Sequence, residues 1–157
     1  RESGKVTKRF RAVFDTNVFV SASLSKNANS PTRELLVRWK NNEFTLVICD
    51  QIAKELLEKL IERGLSQDVI DEQITALAVA AEWAVVPEER IESLLSDPDD
   101  NVIVACAIEG RANYIVTYDP HFDSLGGEYR GIKIVKAIPF LEALRENENK
   151  NKKETSD

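Results

Sequence analysis

Four acidic residues, spread over about a hundred positions, each stand where an α/β fold would bring them together. Asp15 and Asp119 each follow an apolar run of β type, Glu55 lies in a helical pattern, and Asp100 ends an acidic segment. Open parallel sheets bind ligands beyond the carboxyl ends of their strands. Carboxylates that converge there repel one another unless a cation neutralises them. The pattern therefore predicts a divalent-metal site, and a metal held only by carboxylates suggests phosphate chemistry.

Each of these acids also has an ordinary structural explanation. Asp15 and Asp119 can cap the helix or turn that follows them. Glu55 lies on the border of an apolar helical stripe, so it can equally be a solvated glutamate paired with Lys59 at i+4. Each acid alone is weak evidence, and the shared position of all four at the ends of elements carries the prediction.

The acidic segment from Asp97 to Asp100 favours the start of a helix. Asp97 is placed as an N-cap that supports the site, Pro98 suits the first helical position, and acids suit the first turn. Capping does not need three aspartates, and the surplus suggests another role. Consecutive helical residues point about 100° apart, so at most one of Asp99 and Asp100 faces the site directly. We predict that this residue is Asp100.

Composition and length exclude several classes of protein. The 157 residues fit one domain, 43% are hydrophobic and 31% are charged, as in soluble globular proteins. No apolar run approaches the roughly 18 residues of a membrane span. Cys49 and Cys106 lie in apolar segments and indicate buried thiols in a reducing, cytoplasmic setting. His121 is the sole histidine, which excludes histidine-rich zinc sites and most Ser-His-Asp schemes.

Apolar periodicity predicts strands that alternate with helices, and hence an α/β fold: a three-layer α/β/α sandwich with a central parallel sheet. The predicted strands are residues 11–14, 45–49, 84–86, 114–117 and 132–135. The predicted helices are residues 18–24, 31–41 with Ser30 as N-cap, 51–63 with Asp50 as N-cap, 66–83 beginning at Ser66 or Asp68, 88–95, 97–110 and 139–145. Residues 1–9 form a basic N-terminal extension, residues 10–145 form the domain, and residues 146–157 are expected to be a charged, disordered tail.

Over roughly residues 10–145 the chain resembles PIN-domain nucleases. Three segments carry the likeness: the strand and acid Val13-Phe14-Asp15-Thr16-Asn17-Val18, the helix Asp100-Asn101-Val102-Ile103-Val104-Ala105-Cys106-Ala107, and Tyr114-Ile115-Val116-Thr117-Tyr118-Asp119-Pro120-His121-Phe122. Their order and spacing together are specific. The segment from Asp97 to Asn101 most resembles the branch that contains the toxins of toxin–antitoxin pairs.

This resemblance implies a PIN-like sheet flanked by helices, with Mg²⁺ or Mn²⁺ bound by Asp15, Glu55, Asp100 and Asp119. It implies cleavage of single-stranded RNA, and it places Asn17 and Thr117 as polar supports. It also implies an antitoxin protein as partner, and a homodimer. Some relatives carry a further acid two residues after the last aspartate. Here that position is His121, so a ligand for a second metal is expected to be weaker or absent.

Within this interpretation Asp15 is the central ligand, Asp100 and Asp119 hold metal directly or through water, and Glu55 holds metal or orients the attacking water. Basic residues that are candidates for contacts with RNA phosphates are Lys8, Arg9, Arg11, Arg33 and Arg38. The net charge of −6, from 27 acids and 21 bases, disfavours tight non-specific binding of nucleic acid.

Two other interpretations remain open. One is a PIN-like module that binds RNA or a protein partner with weak catalysis or none. The other is a phospho-accepting receiver domain, which also places aspartates at strand ends with Mg²⁺, although the surroundings of Lys133 and Lys136 do not match that fold's usual lysine. Metal-dependent cleavage of an oligonucleotide, lost on substitution of Asp15, separates the nuclease from the module.

Overall fold

The computed structural model describes the backbone of residues 9–156 and the side chains of residues 9–153. Its centre is a sheet with the strand order β3-β2-β1-β4-β6-β5. The strands are β1 (Arg11–Phe14), β2 (Thr45–Ile48), β3 (Glu82–Trp83), β4 (Tyr114–Val116), β5 (Glu128–Tyr129) and β6 (Ile132–Val135). The helices are α1 (Thr16–Leu24), α2 (Pro31–Lys40), α3 (Asp50–Glu62), α4 (Gln67–Ala80), α5 (Pro98–Glu109) and α6 (Ala137–Ser156).

The sheet is flanked by helices, which confirms the predicted α/β/α architecture. Every strand pair is parallel except β5 with β6. The central strands β1 and β4 are almost wholly buried, as strands covered on both faces must be. On one side Phe140 of α6 packs edge-on against Phe44 and Tyr114, with ring centroids 5.2 and 5.0 Å away. This aromatic packing fixes the sheet against which the site is built.

Three helices begin at the caps that the sequence indicates. The side chains of Ser30, Ser66 and Asp97 each accept a hydrogen bond from a backbone N–H in the first turn of the helix that follows. Helix α3 differs, because Cys49 occupies its N-cap without a side-chain hydrogen bond and Asp50 lies inside the first turn. There Asp50 still favours the helix through the helix dipole.

The third strand and the segment after it differ from the sequence prediction. The pairing lies at Glu82–Trp83, two residues before the predicted strand 84–86, and the indole of Trp83 donates to the carbonyl of Leu77 at 3.1 Å. The predicted helix 88–95 is reduced to a 3₁₀ turn at Glu88–Arg90. Asn101 explains this, because its side chain accepts from Leu95 N at 2.7 Å and donates to Leu95 O at 3.0 Å. Backbone groups of this segment therefore form hydrogen bonds with the Asn101 side chain on α5 instead of with one another in a helix.

Two further differences lie toward the C-terminus. Strand β5, absent from the prediction, forms an antiparallel hairpin with β6, and Arg130 and Gly131 at its turn adopt positive φ angles of 50° and 82°. The sheet is therefore mostly, not wholly, parallel. Residues 146–156, expected to be a disordered tail, continue α6 instead. Most of the predicted extension, residues 1–8, lies outside the described residues. None of the helices in residues 9–156 combines the length with the apolar character that a membrane-spanning segment requires.

Gly110 ends α5 beside Val47 of β2. Its φ of −88° is open to any residue, so the requirement for glycine is one of space. A Cβ atom there would lie 2.4 Å from Val47 Cγ1 and 3.0 Å from the carbonyl oxygen of Cys106. Val47 is β-branched and stiff, so it cannot easily move aside. The absence of a side chain lets α5 lie directly on the sheet.

We therefore expect Gly110→Ala to lower the free energy of unfolding by about 1–3 kcal/mol through overpacking. Urea denaturation of the two single variants, Gly110→Ala and Val47→Ala, and of the double variant measures it. The double variant should lose less than the sum of the two single losses, because Val47→Ala removes the clashing methyl group. Additive losses would show that the close approach is not the cause.

Candidate metal centre

Three of the four predicted acids meet at the carboxyl ends of β1 and β4. Asp15 follows β1, Asp119 follows Thr117 and Tyr118 after β4, and Asp100 lies in the first turn of α5. One carboxylate oxygen from each lies within 4.8 Å of the other two. Asp15 and Asp100 are buried, and Asp119 is partly exposed. We call Asp15, Asp100 and Asp119 the carboxylate triad.

Asp15 is held in place by its neighbours. Thr117 Oγ1 donates to Asp15 Oδ2 at 2.8 Å, and the same hydroxyl accepts from the backbone N–H of Asp119 at 3.0 Å. Asp15 Oδ1 also accepts from the backbone N–H of Asn17 at 3.4 Å, as a helix cap does. The Asp15 side chain therefore caps α1 and also belongs to the site. Thr117 links the carboxyl ends of β1 and β4.

Glu55 lies beside the triad and does not complete it. Its Oε1 accepts from Thr16 Oγ1 at 3.2 Å, and its carboxyl lies near that of Asp99, which helps to raise its pKa. The predicted i+4 pairing with Lys59 is loose, with 4.0 Å between Lys59 Nζ and Glu55 Oε2. Glu55 therefore lies at the edge of the site. Asp99 lies near Glu55, whereas Asp100 lies near Asp15. The two neighbouring aspartates serve different parts of the centre.

Lys59 brings an ammonium group to this centre. From the sequence it was expected only as a surface partner of Glu55. Its Nζ donates to Thr16 Oγ1 at 2.9 Å and to Asn17 Oδ1 at 3.3 Å. The i+4 spacing on α3 was the available signal, because it placed Lys59 one turn from Glu55. Asn17, predicted as a polar support, thus supports the site through Lys59 and through its backbone N–H.

The crowded acids change one another's affinity for protons. Burial, together with the nearby Asp99 carboxyl, raises the pKa of Glu55 to about 7. Burial and the charges of Asp119, Asp97 and Asp15 raise the pKa of Asp100 to about 6, although a hydrogen bond from His121 opposes the rise. Both shifts have the sign expected where carboxylates gather without a cation.

His121, which stands where the resemblance suggested a further acid, reaches the centre. Its ring Nδ1 lies 3.2 Å from Asp100 Oδ2 and 3.3 Å from Asp119 Oδ1. The hydrogen bond to Asp100 and the charge of Asp119 raise the pKa of His121. Asp97, predicted as a support, caps α5 through Asp99 N at 2.9 Å and offers an oxygen within 4.8 Å of Asp100 and His121.

The basic residues proposed from the sequence lie elsewhere. Arg9 binds Asn42 and Thr45, and Arg11 binds Glu82 and the carbonyl of Gly110, all at the amino ends of the strands. Arg38 is paired with Glu34 and Glu43. Arg33 donates to the carbonyl of Ser25, and Lys8 lies outside the described residues. Arg9 precedes β1 and Arg11 begins it, so both lie at the amino end of that strand, away from the triad at its carboxyl end, whereas Arg33 and Arg38 belong to α2.

The donor chemistry of this centre fits a hard divalent cation. Mg²⁺ and Mn²⁺ prefer oxygen ligands, and Mg²⁺ usually meets one or two carboxylates and keeps several waters. The triad supplies carboxylate oxygens from three separate elements, and the raised pKa values mark an excess of negative charge that a cation would relieve.

Comparison with known proteins places this arrangement in a family. The model of the PIN domain family matches residues 11–121, which includes all three acids of the triad, Glu55 and His121. The chain belongs to the PIN domain family. The match confirms the resemblance to PIN-domain nucleases seen in the three sequence segments. Among curated proteins, none matches the chain in sequence.

A solved structure shares the PIN fold seen here. The crystal structure of VapBC2 from Rickettsia felis, bound to a DNA fragment from their promoter, contains a chain that superposes with a TM-score of 0.56. The two are 14% identical, and the match covers 80% of this chain and 97% of that one. At that identity the likeness extends to the fold.

The raised pKa of Glu55 predicts how the stability of the metal-free protein depends on pH. The native pKa of about 7 exceeds the ordinary 4.5, so the native state binds more protons than the unfolded state between these values. Glu55 therefore contributes stability below about pH 4.5 that is lost as the pH rises through 7. We expect this loss to be on the order of 1–2 kcal/mol, since water still screens a half-buried carboxyl.

Denaturation in EDTA, from pH 5 to pH 8, measures this effect as the difference between the wild type and Glu55→Gln. The variant has no group to titrate at this position, so its stability relative to the wild type should rise with pH. A difference that stays constant over the whole range would contradict the assignment.

Proposed function

We propose that this chain is a metal-dependent endoribonuclease that cleaves phosphodiester bonds in single-stranded RNA. The observation that carries the proposal is the carboxylate triad of Asp15, Asp100 and Asp119, assembled from three elements in a chain of the PIN domain family. A bound Mg²⁺ or Mn²⁺ would supply a nucleophile from water at neutral pH and would neutralise charge on the phosphate. This is hydrolysis, and it needs no organic cofactor.

The residues of the centre have distinct roles in the proposal. Asp15 is the central ligand, because its carboxylate is buried among the three acids and Thr117 holds one of its oxygens in place. Asp100 and Asp119 hold the cation directly or through water. Glu55, set to one side and held by Thr16, orients the attacking water. Lys59 holds Thr16 and Asn17 in place, and Asp97 fixes the first turn of α5 and hence Asp100.

Contacts to RNA are proposed at the rim of the centre. Tyr118 is exposed between Thr117 and Asp119, and an unpaired base stacks readily on an aromatic ring. Lys136 lines a cleft of about 150 Å³ together with Tyr118 and Asp119, so it is placed to contact a phosphate. Single strands suit this rim better than a duplex, because they can present their bases to Tyr118.

The biological setting proposed is that of a toxin with a cognate antitoxin, in the cytoplasm. Support comes from the acidic segment that resembles the toxin branch and from the shared fold with a chain of the VapBC2 complex. The antitoxin would cover the acidic crevice, and the toxin would form a homodimer. Light scattering of the purified protein, alone and after co-expression with the product of an adjacent gene, tests both associations.

Removal of the central carboxylate should abolish cleavage. Asp15→Asn is expected to lower the rate of cleavage of a single-stranded oligoribonucleotide by about a hundredfold or more, because it removes the charge that holds the cation. A fluorogenic RNA assay in Mn²⁺ and in Mg²⁺ measures this. Asp68→Asn, which changes an exposed acid in the first turn of α4, is the control and should retain full activity.

A wild type that cuts no RNA in either metal, yet still binds RNA or a protein partner, would favour the inert PIN-like module instead. Equal loss in Asp15→Asn and Asp68→Asn would point to a non-specific effect of charge.

Lys59→Met should also reduce cleavage. The substitution removes the hydrogen bonds that hold Thr16 and Asn17, and a bond to a charged group is typically worth about 1.5–3 kcal/mol, or about tenfold to a hundredfold in rate. The same assay measures it, with Lys54→Met on the exposed face of the same helix as the matched control. Equal cleavage rates for the two variants would show that Lys59 has no role in the catalytic centre.

A further inference from the structure

A second donor set adjoins the carboxylate triad and contains the only histidine of the chain. Asp97, Asp100 and His121 each offer one ligand atom, and these atoms lie within 4.8 Å of one another. Asp100 belongs to this set and to the triad. Two groups of three donors therefore share one buried carboxylate, as bridged two-cation centres do.

The local structure holds these donors in position. Asp97 is fixed as the N-cap of α5, three residues before Asp100, so both carboxyls lie at the same helix end. His121 lies in the 3₁₀ turn that begins at Pro120, where its backbone N–H donates to Asp119 Oδ1 at 2.9 Å. From this turn the imidazole lies toward the first turn of α5, with its Nδ1 3.2 Å from Asp100 Oδ2.

We propose, building on the proposed nuclease, that Asp97, Asp100 and His121 form a second cation position that prefers a first-row transition-metal ion to Mg²⁺. Mg²⁺ takes oxygen ligands in near-ideal octahedral geometry and rarely accepts imidazole. Mn²⁺, Fe²⁺, Co²⁺ and Zn²⁺ accept imidazole nitrogen alongside carboxylate oxygen. The triad, with oxygen donors only, takes either type of ion, so the two positions differ in selectivity.

Because His121 is the sole histidine, any imidazole nitrogen bound to a metal in this protein must be its own. Tag-free protein loaded with Mn²⁺ is suited to this test, since pulsed electron paramagnetic resonance detects a coordinated ¹⁴N. We expect two bound Mn²⁺ ions per chain in titration calorimetry, and a nitrogen coupling at one of them. With Mg²⁺ we expect one bound ion.

Variants at His121 assign the signal. His121→Ala should lose the nitrogen coupling and one of the two Mn²⁺ ions. His121→Asp should lose the coupling and regain a second Mg²⁺ ion. Its preference for Mn²⁺ at that position should fall at least about tenfold, since even the loss of an indirect partner costs about 10- to 100-fold in metal affinity. Asp123→Asn, on the same turn and outside both donor sets, is the control and should match the wild type.

Absence of a nitrogen coupling in Mn²⁺-saturated wild type, or an unchanged stoichiometry in His121→Ala, would overturn this inference. These readouts do not depend on RNA cleavage. If cleavage requires Asp15 but no nitrogen coupling is seen, the nuclease proposal is supported and the second cation position is contradicted. If two ions bind with the coupling but RNA is not cleaved, the second cation position is supported and the nuclease proposal is contradicted.

Discussion

The repulsion among carboxylates collected at one end of a sheet is the constraint on which the site depends. Asp15 and Asp100 are buried within reach of Asp119, and burial together with the charges of the neighbouring acids raises the pKa of Asp100 to about 6. Such an arrangement costs stability, and folding tolerates it because packing elsewhere is extensive. Phe14 belongs to β1, the strand that presents Asp15, and it packs against Phe44 and Phe140 as part of that core. The core thus keeps in place a set of charges that would otherwise separate.

The groups around these acids moderate the repulsion in two directions. On one side, Lys59 lies among Thr16, Asn17 and Glu55, where its ammonium group partly balances the acids. On the other side, the His121 ring reaches Asp100 and Asp119. The centre therefore has a cationic or potentially cationic side chain at each flank and carboxylates in between. The side chains of the described residues therefore balance only part of the negative charge in the middle of the crevice.

Much of the fold and site follows from local sequence, and the exceptions have physical causes. Strand-end acids and helix caps are short-range signals, so Asp15, Asp100 and Asp119 were predicted to converge and do so. The irregular segment 91–97 was missed because Asn101, later in the chain, satisfies its backbone. The place of Lys59 was missed because a surface pair and a site residue share the same i+4 spacing. The direction of the His121 ring depends on a turn whose geometry no periodicity encodes.

The bond between Thr117 and Asp15 joins residues 102 positions apart in the chain. Strand β1 pairs with β4 in the sheet. The chain between these two strands contains most of the helices of the domain, so it must be synthesised before the pairing can form. During synthesis, the N-terminal part of a chain leaves the ribosome first. The acidic crevice therefore cannot form until Asp119 has left the ribosome. The carboxylates that repel one another are thereby kept apart while the helices and strands between β1 and β4 are still being made.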